Sequence, residues 1–233
     1  MHLPSMWLTV LAWLSLAAGF VSAGAVVYDI HGRGLRQPMR VMEAVWPITA
    51  LYLGPLGWFA YARLGRPSET AEEDAVWVGF AVSATHCGAG CALGDVIGEW
   101  VVFAGSLTIA GAGLWPGYLL DFALGYLFGI LFQYRAIKPM GDLSRRAALW
   151  DAVRADTLSI AAFEAGMFAW MALVYFVFFT HPHLGAGHAA YWLMMQVAMA
   201  VGLATTYPAQ IWLIRRGVKH AMGRPVRPEG PGS

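Results

Sequence analysis

The amino-acid sequence predicts an all-α membrane protein, a polytopic bundle of six or seven transmembrane segments in which one segment is broken or re-entrant. Of its 233 residues, 58% are hydrophobic and 12% are charged. That charged share is about half the share in an average soluble domain. The mean hydropathy is +0.55. The apolar runs have helical length and lack strict alternation of apolar and polar residues, so helices are favoured over a transmembrane β-barrel.

Seven stretches have the apolar character and length of a membrane helix, which needs about 20 residues. In chain order they are 6–27, 41–62, 75–93, 96–114, 117–134, 158–180 and 189–214. An uninterrupted helix over 75–114 would be about 60 Å long, twice the thickness of the hydrocarbon layer. This region therefore either crosses twice or breaks at the glycines around Cys87, and two crossings, giving seven spans, are favoured.

The chain ends differ from the central part of the sequence. Residues 1–28 are predicted as a first membrane helix. Ser22-Ala23-Gly24-Ala25 resembles a signal-peptide cleavage site, but no Lys or Arg precedes this apolar run, which is longer than a usual signal core. Residues 29–222 are predicted to form a single polytopic domain, because they contain no internal repeat and no long linker. The Pro- and Gly-rich residues 223–233 are predicted to be a disordered tail.

The basic residues predict the orientation in the cell membrane. All 15 Lys and Arg residues lie in four stretches, within 33–40, 63–66, 135–154 and 215–227. The two richest stretches, 135–154 and 215–227, are predicted to be cytoplasmic, which places the carboxyl terminus in the cytoplasm. In the seven-span arrangement Arg63 and Arg66 lie on the other side as exceptions. The net charge of +1 argues against a nucleic-acid partner.

The chain's only two cysteines lie in the apolar run Thr85-His86-Cys87-Gly88-Ala89-Gly90-Cys91. If this segment is helical, four polar residues recur at every fourth position and share one face: Cys87, Cys91, Asp95 and Glu99. Glycines at 90, 94 and 98 run beside that stripe and provide a surface for close helix approach. A polar stripe flanked by glycines is typical of a site or pathway between helices.

The residue types in this segment suit a transition-metal ion. Thiolate and imidazole bind Cu(I) and Zn(II), and carboxylates can complete the set. The predicted metal ligands are His86, Cys87, Cys91, Asp95 and Glu99. Two alternatives remain. The two thiols could cycle between dithiol and disulfide, although an ideal helix holds such a pair awkwardly. Alternatively, both cysteines are small apolar residues at a helix contact.

Further polar residues lie within or at the edges of the predicted spans: Asp121, Gln133, Asp156 and Glu164. Asp121 and Glu164 are expected to be the deepest and are candidates for a cation or proton path. Asp156 could simply cap the start of a helix. Met195 and Met199 share a face of the last span and, with Glu164, form a candidate relay for Cu(I), although methionine is also a common core filler.

Several motifs lie along residues 28–222. They are Val45-Trp46-Pro47-Ile48-Thr49-Ala50-Leu51-Tyr52, His86-Cys87-Gly88-Ala89-Gly90-Cys91 with Gly94-Asp95 and Glu99-Trp100, Phe132-Gln133-Tyr134, Ala155-Asp156-Thr157-Leu158-Ser159, His181-Pro182, Met194-Met195-Gln196 and Tyr207-Pro208. With these motifs the chain resembles the bacterial membrane family known as domain of unknown function 4396. The resemblance implies a polytopic membrane protein and supplies no activity or site.

The sequence therefore predicts a multi-pass membrane protein that binds or transports a transition-metal ion, copper ahead of zinc. Transport or metal handling is favoured over catalysis. The alternatives are a membrane thiol-redox component that uses Cys87 and Cys91, a scaffold in which the glycines bind partner helices, and a proton-coupled transporter of small molecules. No phosphate loop, dinucleotide fingerprint, zinc-protease helix or nucleophile elbow is present. The predicted partners are the lipid bilayer, a metal donor or acceptor protein and further copies of the chain.

Overall fold

The computed structural model describes residues 5–37, 39–67, 76–137 and 144–219. These residues form seven α-helices: α1 Met6–Val27, α2 Met42–Leu53, α3 Pro55–Ala60, α4 Val76–Gly105, α5 Leu114–Ile137, α6 Arg145–Leu173 and α7 Ala189–Arg215. Wider π-helical turns extend α1, α3 and α6. The predicted all-α membrane bundle is confirmed. The predicted disordered tail lies outside the described residues.

Within the described ranges, five helical segments are long and apolar enough to cross a membrane: Met6–Gly32, Val76–Gly105, Leu114–Ile137, Arg145–Phe178 and Ala189–Arg215. The second of them, α4, is 30 residues long without interruption, which corresponds to about 45 Å. The prediction that 75–114 crosses twice or breaks near Cys87 was therefore wrong. Gly90 and Gly94, which lie within α4, face the backbone of α5 and do not interrupt the helix.

The segment predicted as a span over 41–62 is instead a helical hairpin made of α2 and α3. Gly54 has a φ of +59° and reverses the chain between the two helices, a conformation that glycine adopts without steric cost. A Cβ atom on Gly57 would lie only 2.6 Å from the Cα of Ala50. Helix α3 therefore folds back closely on α2.

The two ends of this hairpin lie side by side. The Gln37 side-chain amide donates a hydrogen bond to the carbonyl of Gly65 at 2.9 Å. Trp46 of α2 packs edge-on against Tyr61, with ring centroids 5.7 Å apart. The chain therefore enters and leaves the hairpin at the same end of the bundle. The re-entrant segment is therefore this hairpin. The sequence predicts the broken or re-entrant segment around Cys87 instead.

The tip of the hairpin is held inside the bundle by α1 and α7. The Gln196 amide donates to the carbonyl of Leu51 at 3.1 Å, and its oxygen accepts from the Ser15 hydroxyl at 2.6 Å. Gly19 leaves room for the same carbonyl, since a Cβ there would lie 2.3 Å from it. Irregular backbone at membrane depth is stable where protein covers it, and Gly54 at the tip is buried.

The hairpin changes the distribution of charge. With five spans and one re-entrant hairpin, the described basic residues that follow α1, α3 and α7 or flank the α5–α6 connection all lie at one end of the bundle, called here the basic side. Arg63 and Arg66 are no longer exceptions. Arg66 also joins the end of the hairpin to the end of α1, since its Nε donates to Asp29 at 2.9 Å. A single rule of charge asymmetry then accounts for every basic stretch.

Labelling of introduced cysteines distinguishes a hairpin from a span. In a Cys87→Ser/Cys91→Ser background, Arg33→Cys and Arg63→Cys are expected to react with a membrane-impermeant maleimide from the same face of the membrane, because both positions are exposed on the basic side. Thr108→Cys, between α4 and α5, is expected to react from the opposite face. Labelling of the first two variants from opposite faces would show that residues 41–62 cross the membrane.

Helices α4 and α5 approach each other through paired glycines, as the glycine surface on α4 predicts. A Cβ on Gly94 would lie 2.2 Å from the amide nitrogen of Gly125, and one on Gly90 would lie 2.8 Å from the Cα of Gly129. No real Cβ contact is so short. The two backbones therefore touch along this line, which brings the polar side chains of both helices together.

Gly94→Ala is expected to lower the stability of the bundle, since the added methyl group meets backbone that cannot move independently. Overpacking of this kind costs about 1–3 kcal/mol. The check is the apparent thermal midpoint in detergent, followed by tryptophan fluorescence. Gly24→Ala is the matched control, because nothing lies within 4 Å of its Cβ position and it reports the gain in helix propensity alone. Equal midpoints for the two variants would contradict the close approach.

Candidate functional site

The polar stripe on α4 lies inside the bundle. Cys87, Cys91 and Asp95 are 0% exposed, whereas Glu99, at one end, is partly exposed. Helix α4 is packed between the hairpin, α5, α6 and α7, so the stripe faces protein and not lipid. Ionisable groups in such a position are costly and usually serve function.

Two carboxylates from neighbouring helices join the stripe. Asp121 of α5 and Glu164 of α6 are each 1% exposed. Asp121 lies against Glu99, and Glu164 lies near Asp95. Together they form the carboxylate cluster, defined as Asp95, Glu99, Asp121 and Glu164.

Glycines make room for the carboxylate cluster. A Cβ on Gly125 would lie 2.6 Å from Oε1 of Glu164, and one on Gly98 would lie 2.3 Å from Oδ1 of Asp121. Because Gly98 of α4 and Gly125 of α5 have no side chain, the two carboxylates can project into the space beside them. The same glycines bring the helices together and create the site.

The two thiols lie at the deep end of the cluster. Both are free and buried. The Cys91 thiol lies beside that of Cys87 and beside the carboxylate of Glu164. Neither Glu164 oxygen has a well-formed hydrogen bond among the described residues. The next polar group is the Tyr52 hydroxyl at the hairpin tip, 3.2 Å from the Cβ position of Gly88.

The other end of the cluster is open. Glu99 lies beside the hydroxyl of Tyr191 and lines a cavity of about 420 Å³. This cavity, called here the vestibule, is bounded by Glu99, Phe103, Ser106, Thr108, His183 and Tyr191. It lies between the α4–α5 and α6–α7 connections, at the end opposite the basic side. A small ion can therefore reach Glu99 from that end.

The carboxylate cluster lacks basic partners in the part of the chain that the structure describes. The ion pairs found there involve Asp29, Glu43 and Asp156 only. Four uncompensated carboxylates cannot stay together in a hydrocarbon environment, because removing each charge from water costs several kcal/mol. The cluster must therefore carry protons or bind a cation.

The predicted ligand set is only partly assembled. The structure gathers Cys87, Cys91 and Asp95, and places Glu99 at the vestibule. His86 stands apart: its ring packs against Phe132 of α5, with centroids 6.2 Å apart, and it points about 140° around the helix from Cys91. Among the described residues, no three or more His, Cys, Asp or Glu side chains are arranged to hold a metal ion.

The remaining predicted residues have clear positions. Met195 and Met199 are buried on α7 and, with Tyr52, line a separate apolar cavity of about 410 Å³. Asp156 does not cap a helix, because α6 begins at Arg145 with Ser144 as its N-cap. Instead, Asp156 lies inside α6 and forms a buried ion pair with Lys219. The capping prediction was therefore wrong.

Sequence reasoning missed one pattern that it could have used. On α5, glycine and polar residues recur at every fourth position: Gly117, Asp121, Gly125, Gly129 and Gln133. This is the period of the α4 stripe, and two such faces indicate a helix pair around a polar site. No local signal indicates Tyr52 or Tyr191, which reach the site only through tertiary packing.

A family profile described as domain of unknown function (DUF4396) matches residues 76–219. The match includes α4 to α7 and therefore both thiols and the whole carboxylate cluster, whereas α1 and the hairpin lie outside it. No curated protein and no solved structure matches the chain. Because the matched segment is more than half of the sequence, the chain belongs to the DUF4396 family.

Proposed function

We propose that this protein moves a cation across the membrane along the α4 stripe. The observation that carries the proposal is the convergence of four carboxylates, from three helices, next to two buried thiols. Such a set of acidic groups is stable in a membrane only when protons or other cations neutralise it. The carboxylate cluster needs a cation and opens to the vestibule at Glu99. It is therefore suited to taking up cations from that end.

The hairpin supports transport over a purely structural role. Transporters commonly place a broken helix near the middle of the membrane, where its tip lines the binding site. Here the tip brings Tyr52 beside the segment that carries Cys87. The scaffold alternative is weaker, because α5 already occupies the glycine surface of α4 and leaves no room there for a partner helix.

The two thiols favour a soft metal ion as cargo, with Cu(I) ahead of Zn(II). Thiolates select Cu(I), for which two sulfur ligands can suffice, whereas Zn(II) normally takes four ligands. The described residues provide a pair of thiols and no larger preformed set, which favours Cu(I). Thiols release protons when they bind a metal, and the nearby carboxylates can accept those protons.

The proposed setting is the cell membrane, with the basic side and the carboxyl terminus in the cytoplasm by the positive-inside rule. The vestibule then opens outward. A protein that donates or accepts the metal ion is the expected partner on either side. Further copies of the chain would be an additional partner.

Flux in proteoliposomes tests the proposal. Purified protein is reconstituted with a pH-sensitive dye inside the vesicles, and Cu(I) or Zn(II) is added outside under anaerobic conditions. We expect Cu(I) uptake faster than in empty vesicles, with movement of protons that the dye reports. Uptake of both metals at the rate of empty vesicles, with no proton movement, would refute the proposal.

A thiol-redox component is the second candidate, because the two free thiols lie next to each other. Its expected sign is reversible oxidation of the Cys87–Cys91 pair at a defined potential, in protein free of metal. A pair that shows no such oxidation, in protein that binds Cu(I), would favour transport.

A further inference from the structure

A second polar region lies on the basic side of the stripe. Gly90 of α4 packs on Gly129 of α5, which in turn packs on Ile160 of α6, where the Cβ position of Gly129 is 2.8 Å from the Ile160 side chain. One helical turn closer to the basic side, the same three helices carry other residues. They are His86, Gln133 and Asp156, and with Lys219 they define the basic-side cluster.

Lys219 reaches this cluster from outside the helices. It follows the end of α7 and Gly217, whose φ of +69° turns the chain. Its Nζ lies 2.5 Å from Oδ1 of Asp156, and both side chains are 0% exposed. The ammonium group is therefore a cation that a residue beyond the last helix inserts into the bundle.

The cluster contains more acceptors than the ammonium group uses. Oδ2 of Asp156, Oε1 of Gln133, Oγ of Ser159 one helical turn from Asp156, and the ring nitrogens of His86 have no well-formed hydrogen bond among the described residues. One of the two His86 nitrogens is an acceptor, because a neutral imidazole carries its proton on the other. Each of these side chains is at least nine-tenths buried, Gln133 being the most exposed at 4%. These acceptor atoms surround the Asp156 carboxylate, and together they can act as ligands for a cation.

We propose that Asp156 and His86 form a second cation site, which the Lys219 ammonium group fills in this structure. Both sites include residues of α4, where His86 and Cys87 are about 1.5 Å apart along the helix axis, although they are on different faces. A Cu(I) ion leaving the thiols displaces Lys219 and passes to the His86 imidazole, which is also a copper ligand, while the Asp156 carboxylate replaces the lost negative charge of the thiolates. The identity of the displacing ion rests on the proposed function, whereas the site itself rests on the basic-side cluster.

Copper stoichiometry tests the second site. Lys219→Met removes the ammonium group and keeps the length of the side chain, so this variant is expected to bind one more Cu(I) per chain than wild type. Lys219→Met/Asp156→Asn is the control and is expected to lose that extra ion. The comparison is repeated in a Cys87→Ser/Cys91→Ser background. An extra ion bound in that background shows that the second site does not need the thiols. The result therefore tests the second site even if the protein proves not to transport copper.

Lys219→Met also leaves a buried carboxylate without its counter-charge, so a second measurement keeps both groups. Lys138 and Lys219 are the only lysines in the chain. The measurement is acylation of Lys219 by an amine reagent in the Lys138→Arg variant, followed by mass spectrometry. Acylation is expected to rise severalfold when Cu(I) is added. It is also expected to rise severalfold without copper when Asp156→Asn is combined with Lys138→Arg. Unchanged acylation in both cases, or a folded Lys219→Met variant without extra copper, would overturn the proposal.

Discussion

Replacing both cysteines by serine, Cys87→Ser/Cys91→Ser, is expected to abolish Cu(I) binding at the stripe while the bundle remains folded. Serine is nearly the same size, but its hydroxyl stays protonated and is a poor ligand for a soft ion. Bound copper should fall from about one ion per chain to about a tenth of that or less. The measurement is elemental analysis of anaerobically purified protein after loading with Cu(I) and, separately, with Zn(II).

His86→Gln is the matched control for this experiment. The sequence places His86 in the ligand set with both cysteines, whereas the structure turns its ring towards Phe132. We therefore expect His86→Gln to keep the copper bound at the thiols, because Lys219 fills the site that contains His86 in the protein with its lysine intact. Full copper content in the cysteine variant would eliminate the thiols as ligands, and complete loss in His86→Gln would restore the ligand set predicted from sequence.

The α4 stripe was predictable because one helical period describes both its polar residues and its glycines. Cys87, Cys91 and Asp95 share a face in any straight helix, and burial of that face follows from the cost of exposing ionisable groups to lipid. His86 shows the limit of such reasoning. Because His86 and Cys87 are adjacent in sequence, the sequence suggested one site for both. Adjacent residues lie about 100° apart on a helix, so the two side chains are on different faces of α4.

The hairpin was not predictable from the composition of residues 41–62, which have the length and apolarity of a span. Their reversal depends on the positive φ of Gly54 and on the contacts that Gly19 and Gln196 make with Leu51. These partners are far away in sequence, so no local pattern shows them. The basic residues did contain the signal, because Arg63 and Arg66 contradicted the seven-span arrangement and fit the basic side without exception.

The Lys219–Asp156 pair was missed for a similar reason. Lys219 lies beyond the last span, in a stretch that resembles an ordinary basic terminus. Only the turn after α7 and the position of α6 bring its ammonium group to Asp156. A charge pattern predicts the side of the membrane on which a residue lies, but not its entry into the bundle.

Glu164→Gln is expected to slow transport while leaving equilibrium copper binding largely intact. Glu164 lies between the Cys91 thiol and Asp95, where it can take the proton that the thiol releases. The amide has the same shape but cannot accept that proton. Loss of a group that supports metal ligands typically costs about 10-fold to 100-fold, and we expect an effect of that order on the initial rate of Cu(I) uptake.

The two readouts together separate a proton acceptor from a ligand. A proton acceptor affects the rate of uptake and the number of protons released per ion, whereas a ligand also affects the amount of copper bound. Asp151→Asn is the matched control, because Asp151 lies on the same helix and is exposed. If Glu164→Gln and Asp151→Asn take up Cu(I) at the same rate and release the same number of protons, Glu164 has no part in transport. The proton that the thiol releases would then have to reach another of the carboxylates, of which Asp95 and Asp121 are buried and Glu99 borders the vestibule.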